Sequence, residues 1–91
     1  MIRSFRHRGL KRLWEGDPSR VSAALRDRLE NVLSVLEAAA TPSDLDLPGY
    51  RLHVLKGNLK GLWSITVSGN WRVTFHIEDG NVFDVDLTDY H

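Results

Sequence analysis

The chain has 91 residues, no cysteine, and equal numbers of acidic and basic side chains, for a formal net charge of zero. A chain this short makes one small domain, here residues 1–91, and buries only about two-thirds of the surface that its unfolded form exposes. Without cysteine there is no disulfide framework and no thiolate zinc site, and a neutral total argues against coating nucleic acid through bulk charge. The opening MIRSFRHRGLKRLW is basic but lacks the apolar run of a signal peptide. No stretch approaches the roughly 20 apolar residues that span a bilayer, so a soluble cytoplasmic protein is expected. The charge is unevenly spread: +4 over residues 1–30, −3 over 31–46, +4 over 47–77 with no acid, and −5 over 78–91. A locally basic surface is therefore compatible with the neutral sum.

In chain order, MIRSF predicts one short strand, followed by a short basic helix with Leu10, Leu13 and Trp14 on its inner side. EGDPSR breaks that helix. Asp17 before Pro18 predicts a new helix start, because aspartate caps free N–H groups and proline suits the first turn. Val21, Leu25, Leu29, Val32, Leu33 and Leu36 then recur at amphipathic helical spacing. Thr41-Pro42 ends the helix, and SDLDLPGY predicts a loop.

The remainder predicts strand after strand. In YRLHVLKGNLKG, Leu52 and Val54 point inward and turn Arg51 and His53 outward. Trp63, Ile65 and Val67 share the inner face with Trp71, Val73, Phe75 and Ile77, and with Phe83, Val85 and Leu87. Both strand tryptophans are thereby assigned to the core. A two-residue Asp79-Gly80 turn would set Phe75 opposite Asp84, so a three-residue loop, Glu78 to Gly80, is expected, which sets Phe75 opposite Phe83. A second three-residue loop is expected at Ser68-Gly69-Asn70. The outer face then carries Ser64, Thr66, Arg72, Thr74, His76, Asp84 and Asp86, with Arg72 opposite Asp86. The predicted class is α+β: two N-terminal helices on one face of a small, mainly antiparallel sheet, with a polar face left open.

The four histidines have no metal-binding spacing such as H-E-x-x-H, and KGNLKG lacks the following helix that a phosphate loop needs. No metal or cofactor is expected. His53, Lys56, Lys60, Arg72, Asp89, Tyr90 and His91 form a better constellation. Cleavage of RNA by its own 2′-hydroxyl needs a base for that hydroxyl, cations for the phosphorane charge and an acid for the leaving 5′-oxygen. Imidazoles serve as base or acid near neutral pH, and Lys and Arg hold phosphate. Taken alone, Arg72 reads equally well as half of a cross-strand ion pair, and His53 as a solvated histidine.

The strings MIRSFRHRGLKRLWEG, RLHVLKGNLKGLWSITVSGNWRVTF and the terminal DYH resemble the HigB-type toxins of the RelE/ParE superfamily, from Met1 to His91. The resemblance implies a ribosome-dependent endoribonuclease that cuts messenger RNA in the decoding site. It also implies a helix-turn-helix antitoxin of the HigA type, which neutralises the toxin and carries any contact with operator DNA. Carried over by motif, the catalytic set is His53 and Lys56 from LHVLKG, Arg72 from NWR, and Asp89, Tyr90 and His91 from DYH. The chain departs from relatives that read LHPLKG, having Val54 in place of the proline. In this scheme His53 or Asp89 is the base, His91 or Tyr90 the acid, and Lys56 and Arg72 stabilise the phosphorane. The alternatives are a gyrase poison like the ParE branch, which generally lacks a full acid–base set, and a degenerate toxin kept as an antitoxin-binding module.

Overall fold

The structure, a computed structural model, describes residues 1–55 and 61–89. The expectations placed on Lys56, Lys60, Tyr90 and His91 lie outside the described residues. The four strands are β1 (His53–Val54), β2 (Trp63–Ser68), β3 (Trp71–Glu78) and β4 (Asn81–Asp89), paired antiparallel in the order β1-β2-β3-β4. Two helices, α1 (Arg8–Trp14) and α2 (Arg26–Ala38), cover one face, so the α+β class is as expected. Among the described residues no helix is long and apolar enough to cross a membrane.

The core follows the two periodicities. Leu29, Val32, Leu33 and Leu36 of α2 are fully buried, together with Ile65, Val73, Phe75, Val82 and Val85 of the sheet. Each large side chain so buried contributes about 1.5–3 kcal/mol. The helix itself starts later than expected. Asp17 does cap a turn, accepting from the Ser19 N–H at 3.0 Å, but that turn is a short 3-10 helix, Pro18–Arg20. Val21 is extended, a second 3-10 turn spans Ala23–Leu25, and only then does α2 begin. The extended Val21 puts its side chain into the core, which a continuous helix from Pro18 does not need to do. Trp14, expected inside, is 40% exposed at the last position of the seven-residue α1, where the helix layer ends. His7 accepts from the Leu10 N–H at 3.1 Å and so caps α1.

The first segment is a broken edge rather than a regular strand. It runs parallel to β4 through two isolated bridges, Ile2 to Val82 and Phe5 to Val85. Between them the ladder is interrupted at Asp84, whose N–H turns to the Ser4 hydroxyl at 2.8 Å.

Both hairpins correct the expected loops. The β3–β4 turn has two residues, Asp79 and Gly80, with Glu78 paired to Asn81. Both have positive φ, 52° and 76°, as a type I′ turn requires. The conflict between this turn and the core pattern is settled by a bulge: Thr74 pairs with Asp86 and His76 with Phe83, so Phe75 faces both Asp84 and Val85. Val82 and Val85, three apart, then both enter the core, and Phe83 moves to the outer face opposite His76. The β2–β3 turn is likewise two residues, Gly69-Asn70, with Ser68 paired to Trp71 and an irregularity at Val67. The shorter β3–β4 turn and the β4 bulge together bring Arg72 opposite Thr88, not Asp86. Trp71, expected in the core, is 37% exposed at the end of β3, and Val54 is 41% exposed because β1 is a two-residue edge strand. Trp63 does pack against the core.

Candidate active site

The face of the sheet away from the helices carries two cross-strand rows. One runs His53, Ser64, Thr74, Asp86 and the next runs Thr66, Arg72, Thr88. Directly opposed residues in antiparallel strands share a face, so these rows follow from register alone. Ser64 and Thr74 are buried despite their hydroxyls, and they floor the centre of this face. Arg51, His53, Leu55, Ser64, Thr66 and Arg72 line an open groove of about 390 Å³ across it.

Each charged member is aimed by its own local structure. Arg72 uses Nη1 to donate to the carbonyls of Gly69 at 2.8 Å and Trp71 at 3.1 Å. Those bonds hold the guanidinium against the β2–β3 turn, and its Nε and Nη2 donors are not used by them. A guanidinium oriented in this way suits the fork geometry of a phosphate. His53 is exposed and paired with Ser64, on the strand beside β2. Arg51 stands two residues earlier with φ at 49°, in the left-handed region that few side-chain-bearing residues adopt. It is held there by its neighbours. The Tyr50 carbonyl accepts from the Thr66 N–H at 2.8 Å, and Arg28 donates to the Gly49 carbonyl at 2.9 Å. The Arg28 guanidinium also lies 4.7 Å from the centre of the Tyr50 ring, whose hydroxyl donates to Asn31. Burial raises the Tyr50 phenol above its ordinary pKa, and the nearby Arg28 charge opposes this only in part. A clamp from α2 thus sets where Arg51 and His53 emerge.

Of the sequence-predicted set, His53 and Arg72 come together in the groove. Asp89 ends β4 opposite Trp71, at the same end of the sheet as Arg72 but on the alternate parity. Lys56, Tyr90 and His91 lie outside the described residues. Arg51, Ser64 and Thr66 join the groove without having been singled out. Their signal was the strand alternation itself, which already turned all three outward. His76 occupies a separate place, with its Nδ1–H donating to the Gly61 carbonyl at 2.9 Å.

This architecture is shared by solved bacterial toxin structures. The chain superposes on a YafQ mutant from E. coli with a TM-score of 0.67 at 19% identity, covering 98% of this chain and 91% of that one. It superposes on the toxin of a YoeB-YefM toxin-antitoxin complex from Staphylococcus aureus with a TM-score of 0.63 at 16% identity, covering 100% and 95%. At such identities the likeness defines the fold: two helices on one face of a four-stranded antiparallel sheet. Residues 3–91 match a family model described as RelE-like toxin of type II toxin-antitoxin system HigB, and the chain belongs to that family. Among curated relatives it is similar to Endoribonuclease HigB of Proteus vulgaris, 44% identical over 100% of both chains. It is also 35% identical to Toxin HigB-1 of Vibrio cholerae serotype O1, covering 88% of this chain and 87% of that one.

Proposed function

We propose that this single-domain chain is a ribosome-dependent endoribonuclease, the toxin of a pair whose antitoxin is a HigA-type helix-turn-helix protein. The observation that carries the reading is the groove, where one imidazole and two guanidinium groups line a sheet face that the helices leave uncovered. The full-length likeness to a relative named an endoribonuclease supports it, and the solved YoeB-YefM complex supports an antitoxin partner for proteins of this fold.

In the proposed reaction His53 or Asp89 removes the proton of a 2′-hydroxyl, and that oxygen attacks the adjacent phosphorus. Arg72 and Lys56 meet the charge that develops on the phosphorane oxygens. The 5′-oxygen then leaves, taking a proton from His91 or Tyr90. The products are a cyclic 2′,3′-phosphate end and a 5′-hydroxyl end, so the proton lost by one oxygen is balanced by the proton gained by the other.

Ribosome dependence rests on the charge distribution. With a net charge of zero, the protein has only weak non-specific attraction for free RNA, because that attraction grows with the number of phosphates neutralised. The test is to incubate purified protein with one messenger, naked or on programmed ribosomes, and to map the ends. Cuts confined to the ribosome-bound messenger, with cyclic phosphate termini, are expected. Efficient cutting of naked messenger overturns the dependence on the ribosome, and intact messenger in both arms overturns the nuclease reading.

A further inference from the structure

We infer that a second pocket on the open sheet face is a nucleobase subsite for the strand being cut, selective for a base with an exocyclic amino group. The inference rests on the reading of this face as the RNA-cutting surface. The pocket holds about 420 Å³ and is lined by His76, Ile77, Glu78, Phe83 and Asp84.

Its origin is the bulge in β4. Asp84 takes a φ of 56°, and the extra residue reverses the alternation of the strand. Without it Phe83 would share the core-facing parity of Val85. With it, Phe83 stands on the polar face opposite His76, half-buried. Bulges that re-aim a side chain recur beside active sites, where strained backbone also concentrates. The outcome here is an aromatic ring presented on the same face as His53 and Arg72, and such rings are the usual platforms on which unpaired RNA bases stack.

The polar groups around the ring decide which base fits. Nδ1–H of His76 donates to the Gly61 carbonyl at 2.9 Å, which in the neutral ring leaves Nε2 as the acceptor. Glu78 and Asp84 are exposed carboxylates, acceptors only when ionised. The ring nitrogen and both carboxylates accept, so they match an edge that donates through N–H₂, as adenine, cytosine and guanine do and uracil does not. The same carboxylates repel phosphate, which separates this pocket from the groove at Arg51 and Arg72. His76 is four residues beyond Arg72 on β3, about 14 Å at the antiparallel rise. The pocket therefore receives a base of a neighbouring nucleotide, away from the phosphate being cut. A cationic side chain of a protein partner would also suit an acid-rimmed aromatic pocket, but the place of His76 and Phe83 on the same sheet face as Arg72 favours RNA.

The test maps messenger ends after ribosomal cleavage by the unmodified chain, Phe83→Ala, Phe83→Tyr and Glu78→Gln, with melting and antitoxin binding measured on each. The unmodified chain is expected to favour an amino-bearing base at one fixed position from the cut. Loss of a stacking ring is expected to reduce cleavage about 10- to 100-fold and to flatten that preference, and Phe83→Tyr, which keeps the ring, to restore both. Glu78→Gln adds a donor and is expected to admit uracil at the same position. An unmodified chain with no such preference overturns the inference, as does a folded Phe83→Ala with an unchanged one. So does a Phe83→Ala protein that cuts normally but no longer holds its antitoxin, since the pocket is then a protein contact. Should Phe83→Ala not fold, Glu78→Gln decides alone, because its side chain is exposed, and an unchanged base preference then counts against the subsite. Failure of the underlying reading looks different: the unmodified chain would cut no messenger at all.

Discussion

Replacing Arg72 with alanine separates its chemical role from its structural one, because the two are of different size. In the fold, Arg72 donates to two carbonyls at an exposed turn, Gly69 at 2.8 Å and Trp71 at 3.1 Å. It sits directly opposite Thr88, so its paired residue on β4 is not a carboxylate. Solvent replaces both bonds readily, and together they are worth about 1 kcal/mol. For a domain of this size that is a fall in melting temperature of about 4–8 °C. In the reaction, removing an oriented donor from a developing oxyanion costs about 10²–10³-fold, or 2.7–4 kcal/mol. The expected result is thus a folded protein, slightly less stable, with ribosomal cleavage reduced at least a hundredfold. Arg72→Lys keeps the charge without the fork and should fall between. Melting curves and single-turnover cleavage on programmed ribosomes, run on the same preparations, give both numbers. A variant that loses more than about 10 °C yet cleaves normally would refute the argument and return Arg72 to a purely structural role.

Two further outcomes test the scaffold that aims the site. Gly9→Ala adds a Cβ that would stand 2.7 Å from His7 Cε1 and 2.9 Å from the Arg20 carbonyl oxygen, where the 3-10 turn meets α1. The overpacking should cost about 1–3 kcal/mol in melting experiments, outweighing the roughly 1 kcal/mol helix-propensity gain over glycine; an unchanged or higher melting temperature contradicts the close approach. Tyr50→Phe removes a phenol whose pKa burial holds above its ordinary value. A raised folded pKa means stability fully present below the unfolded value near 10 and lost as pH rises through the folded one. Wild type should therefore weaken on the alkaline side, and Tyr50→Phe should flatten that limb. At neutral pH the variant should lose about 0.5–1.5 kcal/mol with the Asn31 bond. Parallel alkaline limbs in a pH series of denaturation curves would count against the buried phenol.

The sequence by itself determined the class of the fold and the sidedness of the sheet. Leucine and valine at helical spacing over Val21–Leu36, followed by alternating strands, allow little but a helical layer on one sheet face. Alternation also turned Arg51, His53, Ser64, Thr66 and Arg72 outward together, and it did so without any knowledge of register. Local chemistry was read less well where two local rules disagreed. Asp17-Pro18 is a good helix start, and it starts a 3-10 turn, because Val21 is extended with its side chain in the core. Asp79-Gly80 is a good two-residue turn, and the core pattern opposed it; a chain that can bulge satisfies both, at a position where Asp84 tolerates a positive φ.

Only the tertiary structure could decide what depends on register and on neighbours distant in sequence. Whether Arg72 meets Asp86 or Thr88 turns on the length of the β3–β4 turn together with one extra residue in β4, and whether Phe83 joins Val85 in the core or stands on the polar face turns on that same extra residue. A shift of one position reverses every side chain beyond it, and nothing local marks which residue is the extra one. The aim of Arg51 is likewise set from afar, by Arg28 holding the Gly49 carbonyl across 21 positions of sequence. Periodicity is a property of short windows and survives in the sequence; pairing is a property of the whole packed sheet and does not.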